Sequence, residues 1–298
     1  MRDDLFRVVG AGWRQPVLVS AAPTRKKSFP WLSAVLLGLI LSGCVFADLL
    51  RAGDPGYLDL VNAGHAPCAG FPFGTDLLGR DLFAMIWHGG RVSLTVGLLA
   101  AAIATGLAVV YGSVSGLAGE KLDALLMRAC ELLLSVPSIL LVIFLQAIAG
   151  QANPVRIACV IGATSWMNMA KVVRSEVRQL SQSDYILAAR AMNGSFWHVL
   201  RRHLVPNFIP SIMFMAVTAI GSAIGTESTL SFLGIGLPPE AVSWGSLLSQ
   251  ADQALLSNQW WLILIPGIFL VVTLVCITDL GNHIRREASR GCSNLTPD

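Results

Sequence analysis

Six long apolar runs constrain this sequence more than any other feature. With their flanks they define predicted spans at about 31–50, 90–118, 128–149, 155–174, 208–227 and 259–279. Each run is close to the ~20 residues that a helix needs to cross a hydrocarbon core of ~30 Å. Only 13% of the residues are charged, whereas soluble domains carry about 25%. The sequence therefore predicts an all-α polytopic membrane protein with six transmembrane helices.

The fourth run is the least complete of the six. Its charge-free stretch, 157–170, is short, so the helix has to continue past Lys171 to reach a full span. A lysine at this position is compatible with a span because its aliphatic stem lets the ammonium group reach the headgroups. We keep 155–174 as the fourth predicted span.

Basic residues are divided unequally between the two sides of these spans. The tails and alternate loops on one side hold 17 of the 21 Lys and Arg residues. By the positive-inside rule that side is cytoplasmic. The prediction is a cytoplasmic tail at 1–30, a transmembrane domain at 31–280 and a cytoplasmic tail at 281–298. The net charge of +3 follows from this bias, so we predict no nucleic-acid partner.

Cysteine spacing gives no sign of a disulfide framework or a metal cluster. The six cysteines are scattered without a CxxC pair, and we predict no metal site. Leu41 to Cys44 resembles the cleavage box of a bacterial lipoprotein signal, but a polar-rich segment, 1–30, precedes the run. Signal peptides have a short basic leader and an apolar region of ~7–15 residues. We therefore expect the first span to be an uncleaved anchor.

Small residues recur at four-residue steps along the second predicted span. Gly89, Ser93, Gly97, Ala101 and Thr105 would share one helix face. Further along the chain there are two GxxxG pairs, Gly112 with Gly116 and Gly221 with Gly225. Such faces allow helices in a membrane to approach closely, and we interpret them as packing surfaces.

The loop between the fourth and fifth predicted spans, 174–207, has a helical pattern. Ser183 or Asp184 can cap a first helix, and Asn193 with Gly194 suits the left-handed turn that ends it. Ser195 can cap a second helix. This loop is therefore expected to contain a helix, a turn and another helix.

Alanines are concentrated in the first of these helices. Ala188, Ala189 and Ala191 are small enough for another protein to approach the backbone closely, but alanine is also the best helix former. Physical reasoning alone leaves a docking surface and a plain solvated helix equally open.

Sequence resemblance decides between them. The segment DYILAARAMNGS, from Asp184 to Ser195, resembles the EAA loop of ATP-binding-cassette importer permeases. Two further segments, FGTDLLGRD at 73–81 and LSFLGIGLPPEAVSWG at 230–245, look like hallmarks of the oligopeptide, dipeptide and nickel permease family, second-subunit type. MRACELLLSVP at 127–137 also fits. The resemblance extends from about Phe73 to Arg286.

In that family the EAA loop forms a cytoplasmic coupling helix that sits in a groove of the ATPase subunit. Leu187 stands where the signature glutamate is usual, and Asn193 where the signature glycine is usual. These departures leave the identity of the ATPase partner open. The resemblance implies that the coupling residues are Asp184, Ala188, Ala189, Arg190, Ala191, Asn193, Gly194 and Ser195.

The resemblance also implies a function. The chain is expected to be a permease subunit of an ATP-driven, binding-protein-dependent importer, forming half of the path for di- and oligopeptides. Nickel or metal-chelate uptake by the same architecture is the alternative. Expected partners are a homologous permease in a heterodimer, two cytoplasmic ATPase subunits, an extracytoplasmic binding protein and the bilayer of the bacterial inner membrane. The chain has no GxxxxGK[ST] motif, so it is expected to bind no cofactor, with ATP and Mg on the ATPases.

Charged and aromatic residues near the predicted external side are candidates for the rim or the path. Asp76, Arg80 and Asp81 can pair there, either shaping an external vestibule or meeting the binding protein. Glu227 is an ionisable group close to hydrocarbon and therefore a functional candidate. Pairing with Arg80 or with the arginine at 91 is its structural alternative. Trp244 completes the set.

Two other function classes fit the sequence less well. An intramembrane enzyme would need converging nucleophiles, acids or metal ligands, and neither HExxH nor GxSxG occurs. A membrane scaffold would not explain the patterned loop at 174–207 or the long external segment between the fifth and sixth spans. The sequence therefore favours a transport subunit that is not an enzyme.

Overall fold

The computed structural model describes residues 29–51, 56–150, 153–183, 202, 204–238 and 241–293. Within these ranges the regular structure is helical, apart from an antiparallel bridge between Thr75 and Asp81. The α-helices are α1 (Trp31–Val45), α2 (Ala47–Leu50), α3 (Leu82–Leu117), α4 (Glu120–Leu134), α5 (Ser138–Ala149), α6 (Pro154–Ser165), α7 (Met167–Leu180), α8 (Val205–Phe232), α9 (Trp244–Leu248), α10 (Ala251–Leu256) and α11 (Trp261–Ser293); Leu60–Asn62 is a 3-10 turn.

Three of the described helices are long and apolar enough to cross a membrane. They are α3, the Ser211–Phe232 part of α8 and the Trp261–Glu287 part of α11, and α4 with α5 passes the same test as a bent pair. The helices α1 and α6 are apolar but have only 15 and 12 residues. The helical fold class is confirmed, and the count of six spans stays a prediction.

The third predicted span, 128–149, is not one straight helix. It consists of the end of α4 and the whole of α5, which meet at 89° across a break of three residues. Pro137 ends the break and has no N–H to donate to the preceding turn, and it disfavours a helical conformation at the residue before it. A third span at 128–149 stays a prediction, and the structure shows that this stretch is bent.

The fourth predicted span corresponds to α6 and the first part of α7. The single residue between them, Trp166, has φ −79° and ψ −20°, which are close to helical values. The second of these helices continues to Leu180, beyond the predicted limit at 174. The fully buried Val177 packs this extension against α8.

The central helix is α3, because its residues belong to all three buried apolar clusters. One cluster joins it to α1, α8, α9 and α11, a second to α7 and α8, and a third to α5, α6 and α8. Lipid tails are as apolar as leucine, so close packing and hydrogen bonds hold such a bundle together. The end with the N-terminus of α3 is called here the rim end, and the opposite end the loop end.

Glycines on α3 let neighbouring helices reach its backbone. A Cβ atom on Gly97 would lie 2.5 Å from Ile224 Cγ1, and one on Gly112 would lie 2.6 Å from the carbonyl oxygen of Ala170. The close contact expected from small residues on this helix is confirmed at these positions. At Gly225, by contrast, an added Cβ atom would meet nothing within 4 Å, so the pair at 221 and 225 does not mediate a close approach between described residues.

The side chain of Arg91 fastens α1 to α3. Its guanidinium donates to the carbonyl oxygens of Cys44 and Val45 at the C-terminal end of α1, the latter at 2.7 Å. It also donates to Asp48 at 2.7 Å. A cation at the C-terminus of a helix satisfies free carbonyl groups and complements the helix dipole. Arg91 therefore holds the C-terminal end of α1 against α3.

Candidate functional site

At the rim end, Asp76 organises the loop that precedes α3, residues 56–81, called here the rim loop. Its side chain is fully buried, and one carboxylate oxygen accepts N–H bonds from Leu78 at 2.9 Å and Arg80 at 2.8 Å. The other oxygen accepts from the Nε atom of Arg80 at 2.7 Å. The expected contact between Asp76 and Arg80 is therefore present, and it closes a turn within the loop.

The third charged residue of this loop, Asp81, has a different partner. It caps α3 by accepting from the N–H of Phe83 at 3.0 Å, and its other oxygen lies 2.8 Å from the Nε atom of Arg51. Acidic caps are favourable at a helix N-terminus because free N–H groups and the positive end of the dipole meet there. Asp81 thus joins the start of α3 to the segment after α2.

One hydrogen bond attaches this loop to α11. The carbonyl oxygen of Thr75 accepts from the indole N–H of Trp261 at 3.0 Å, and the indole is almost completely buried. The Thr75 hydroxyl is held on the other side by the N–H of His65 and the carbonyl of Asn62. The loop is consequently fixed to the bundle and does not project from it.

A cluster of polar contacts in the apolar interior surrounds Glu227 near the end of α8. This residue is fully buried. Ser243 and Ser231 donate to Oε1 at 2.7 and 2.9 Å, and Ser93 of α3 donates to Oε2 at 3.3 Å. We call these four residues the Glu227 cluster. Because buried polar groups are stable only when paired, the cluster fixes three parts of the chain to one another.

The residues that follow Ser243 extend the same contact onto α3. Ser243 and Ser246 form a reciprocal capping box at the start of α9. The backbone N–H of Trp244 donates to the Ser93 hydroxyl at 3.2 Å, and its indole N–H donates to the carbonyl of Ile86 at 2.9 Å. A Cβ atom on Gly90 would lie 2.8 Å from the Trp244 ring. Residues 241–248, called here the rim segment, are therefore held against α3.

The predicted pairing of Glu227 with an arginine is not found. Arg80 is bound to Asp76, and Arg91 is bound to the end of α1 and to Asp48. Among the described residues no cationic group pairs with Glu227, and hydroxyl groups take the place of the cation. The hydroxyl partners of Glu227 could not be predicted from the sequence, because which polar groups meet depends on how the helices pack.

Burial also changes the interpretation of the two path candidates. Neither Glu227 nor Trp244 exposes any surface in this conformation. A side chain that lines a path has to face solvent, and neither of these side chains does so here. Their contacts fit a role in holding the rim segment in place.

A cavity of about 420 Å³ opens between the rim loop and the rim segment. Arg80 and Met85 line one side, and Leu237, Ser246 and Gln250 line the other. Its size falls within the ~300–1,000 Å³ of pockets that hold small ligands. Because both walls belong to elements fixed by Asp76 and the Glu227 cluster, its shape depends on those contacts.

The predicted coupling residues lie outside the described residues. They are Asp184, Ala188, Ala189, Arg190, Ala191, Asn193, Gly194 and Ser195. Their assignment therefore remains a prediction from the sequence resemblance.

Sequence reasoning missed the serines that surround Glu227. Ser93 was noted only as a small residue on a packing face. The spacing of Ser243 and Ser246 was a usable signal, because an N-cap residue and the third helical residue are placed in this way in a capping box. Nothing in the sequence indicated that Ser243 would meet a carboxyl group on another helix.

Comparison with known families and proteins places these features in context. Residues 108–288 match the family described as binding-protein-dependent transport system inner membrane component. The chain is 33% identical over 261 residues to the oligopeptide transport system permease protein OppC of Bacillus subtilis (strain 168), covering 88% of this chain and 85% of the relative. It is 35% identical over 226 residues to the dipeptide transport system permease protein DppC of the same organism, covering 76% and 70%.

Two further similarities extend the comparison. The probable D,D-dipeptide transport system permease protein DdpC of Escherichia coli (strain K12) is 32% identical over 255 residues, covering 85% of this chain and 84% of the relative. A solved structure of the MetNI methionine ABC transporter in inward-facing conformations has a TM-score of 0.56 and 16% sequence identity. It covers 68% of this chain and 96% of the transporter chain, which supports the permease fold.

Proposed function

This chain belongs to the family of binding-protein-dependent transport system inner membrane components, and on that premise we propose that it imports di- and oligopeptides. It is a permease subunit of an ATP-binding-cassette importer, a multi-pass protein of the bacterial inner membrane that works with ATPase and binding-protein partners. A permease moves its substrate without making or breaking covalent bonds, so the chain acts by changing conformation.

One observation carries the choice of substrate. The three relatives compared above are 32–35% identical to this chain over most of its length, and each is named as a permease for oligopeptides, dipeptides or D,D-dipeptides. The nickel alternative is not favoured, because none of these names points to a metal ion. We therefore propose peptides as the transported class.

The assembly that we propose contains this chain and one homologous permease, each forming half of the path. Two ATPase subunits bind ATP and Mg on the cytoplasmic side, and this chain binds no cofactor of its own. Both termini lie in the cytoplasm, which agrees with the excess of basic residues in the tails and in the loop at 174–207. A binding protein delivers the peptide at the opposite, rim end.

In this proposal the segment 184–195 is the coupling element. Ala188, Ala189 and Ala191 let the ATPase approach the helix, Asn193 and Gly194 form the turn that ends it, and Ser195 caps the next helix. Asp184 caps the first helix, and Arg190 supplies a polar contact in place of the glutamate that Leu187 replaces. Closure of the ATPase dimer on ATP then moves this segment and the spans attached to it.

The rim residues have a supporting role in the same proposal. Asp76 and Arg80 hold the rim loop, and the Glu227 cluster holds the rim segment with Trp244. We propose that these fixed elements form the surface on which the binding protein releases its peptide. The cavity between them provides a guanidinium and amide groups that can meet peptide carbonyl and carboxylate groups.

Uptake measurements test the substrate. Cells lacking this gene, and the same cells with the gene restored, are given radiolabelled dialanine, trialanine and nickel ions in separate experiments. Peptide uptake that disappears in the deletion and returns on restoration is expected, with nickel uptake unchanged. Loss of nickel uptake with unchanged peptide uptake would refute the peptide proposal.

Substitution in the coupling segment tests the mechanism. Ala188→Asp introduces a charge and a longer side chain at the predicted contact, so uptake and peptide-stimulated ATP hydrolysis should fall to background while membrane insertion is retained. Ala188→Ser is the matched control, because it keeps the residue small and uncharged and should retain most of the uptake. Normal uptake by the aspartate variant would contradict the coupling role.

A further inference from the structure

At the loop end, the carboxylate of Asp123 joins three helices. Asp123 belongs to α4 and is 4% exposed. The hydroxyl of Ser115 on α3 donates to it at 2.6 Å. On α7, Arg174 donates from Nε and Nη2 to the two carboxylate oxygens, and Arg178 donates from Nη1 at 3.0 Å. We call these four residues the Asp123 clamp.

Two of the three helices are in direct backbone contact. A Cβ atom on Gly116 of α3 would lie 2.9 Å from the carbonyl oxygen of Arg174, and one on Gly112 would lie 2.6 Å from that of Ala170. Val173 and Val177, which contact the same two glycines, are fully buried. Helices that touch along two turns in this way have no room to slide independently, so α3 and α7 move together.

The third helix, α4, has much less contact with the bundle. Its buried residues are Asp123 and Cys130. Apolar residues on its other faces are exposed to 66% at Leu125 and 71% at Leu132. Packing alone therefore does not fix the position of α4, and specific contacts have to do so.

Two neutral contacts accompany the clamp on α4. The Tyr111 hydroxyl donates to the carbonyl of Leu126 at 2.8 Å, and the Cys130 thiol lies 3.7 Å from the carbonyl oxygen of Met167. Hydrogen bonds between charged groups are roughly twice as strong as neutral ones, and a two-point arginine–carboxylate contact also fixes orientation. The clamp is thus the strongest connection between α4 and α7.

The clamp connects two parts of the chain with different neighbours. The helix α7 ends at Leu180, and the proposed coupling segment begins at Asp184. On the other side, α4 leads through the 89° bend at 135–137 into α5. The clamp therefore lies between the element proposed to meet the ATPase and the bent third span.

We propose that Asp123 is a positioning residue that transmits the movement of α7, imposed at the coupling segment, to α4 and the bent third span. This inference rests on the proposed function, because it needs an ATPase that moves the coupling segment. A buried carboxylate held by two arginines stays paired with one of them even if the helices shift enough to release the other, so α4 and α7 remain joined while they move.

Asp123→Asn tests this role in the complete transporter, reconstituted in proteoliposomes with its permease, ATPase and binding-protein partners. Asparagine keeps the size of the side chain and removes the charge that holds both arginines. ATP hydrolysis is measured without and with a mixture of di- and tripeptides, together with uptake of labelled trialanine. We expect basal hydrolysis within twofold of wild type, loss of most of the peptide stimulation, and uptake reduced at least tenfold.

Three comparisons separate transmission from a loss of folding. The exchanged pair Asp123→Arg with Arg174→Asp restores the attraction and should recover part of the stimulation. Arg178→Gln removes one contact from a half-exposed side chain, so it should assemble normally and lower the stimulation several-fold. Arg128→Gln breaks the exposed Arg128–Glu131 pair on the same helix and should leave stimulation and uptake unchanged.

Each outcome decides between the alternatives. Stimulation and uptake at the wild-type level in both Asp123→Asn and Arg178→Gln would overturn the transmission role. The transmission role would also be overturned if Asp123→Asn lowered the amount of assembled complex, the basal hydrolysis and the uptake in parallel while Arg178→Gln behaved as wild type. Absence of peptide stimulation in the wild-type transporter measured alongside would instead refute the proposed function.

Discussion

Ser243 donates a hydrogen bond of 2.7 Å to the carboxyl group of Glu227, and this contact joins the rim segment to the end of α8. The same carboxyl group accepts from Ser93, which lies 134 positions earlier in the chain on α3. Two helices and a connecting segment therefore depend on one buried acidic side chain.

Glu227→Ala and Glu227→Gln should differ sharply in stability. Alanine leaves three buried hydroxyl groups without their acceptor and also leaves a cavity, which is expected to lower the free energy of unfolding by about 2–5 kcal/mol. Glutamine keeps an oxygen for Ser231 and Ser243, and its amide N–H can donate to Ser93, so the change should be near 1 kcal/mol. The midpoint of thermal unfolding in detergent measures both, and equal midpoints would contradict the role of the cluster.

Glycine-to-alanine changes on α3 should depend on position. A Cβ atom on Gly112 would lie 2.6 Å from the carbonyl of Ala170 and 2.7 Å from the Cβ atom of Val173. The helices α3 and α7 would have to separate, which is expected to destabilise the protein by about 1–3 kcal/mol. Gly106→Ala is the matched control on the same helix, because nothing lies within 4 Å. Thermal unfolding of the two variants should show a lower midpoint for Gly112→Ala alone.

Arg91→Gln should loosen the end of α1. The guanidinium satisfies carbonyl groups of Cys44 and Val45, and a cation at a helix C-terminus contributes about 0.3–2 kcal/mol. Hydrogen exchange of the amides in the last turn of α1 should become faster in the variant. Asp48→Asn removes only the 72% exposed partner of Arg91, and exposed ion pairs contribute little. Equal exchange rates in the two variants would show that the carbonyl contacts are unimportant.

Gly79→Ala should disrupt the rim loop. Gly79 has a φ of +77°, and a Cβ atom there would lie 1.7 Å from the carbonyl oxygen of Asp59. Both the left-handed backbone and this close approach exclude a side chain. Limited proteolysis of the purified protein should detect faster cleavage within 56–81. Gly70→Ala, in the same loop with nothing within 4 Å, should be cleaved like the wild type.

The presence of apolar helices could be predicted because a helix in a membrane depends mainly on its own sequence. Every backbone polar group has to be paired within the segment, so an apolar run of sufficient length specifies a helix without knowledge of its neighbours. The bend between α4 and α5 could also have been predicted, since Pro137 lies inside the third run.

Polar partners could be predicted only where they are close in sequence. Asp76 and Arg80 are four positions apart and were expected to pair, as they do. Pairing of Glu227 with Arg80 or Arg91 was the structural alternative to a functional role, but each arginine is bound to another group. A buried side chain pairs with whatever group the helix packing brings within about 3 Å, and sequence spacing does not report that.

Composition, run length and local motifs indicate the membrane-embedded helical class and the permease family, because each is a property of neighbouring residues. Which distant residues meet depends instead on how the helices pack. Serines on α3, on α8 and in the rim segment surround Glu227, and Arg174 with Arg178 holds Asp123. These contacts form only when the helices pack closely, and the glycines of α3 permit that close packing.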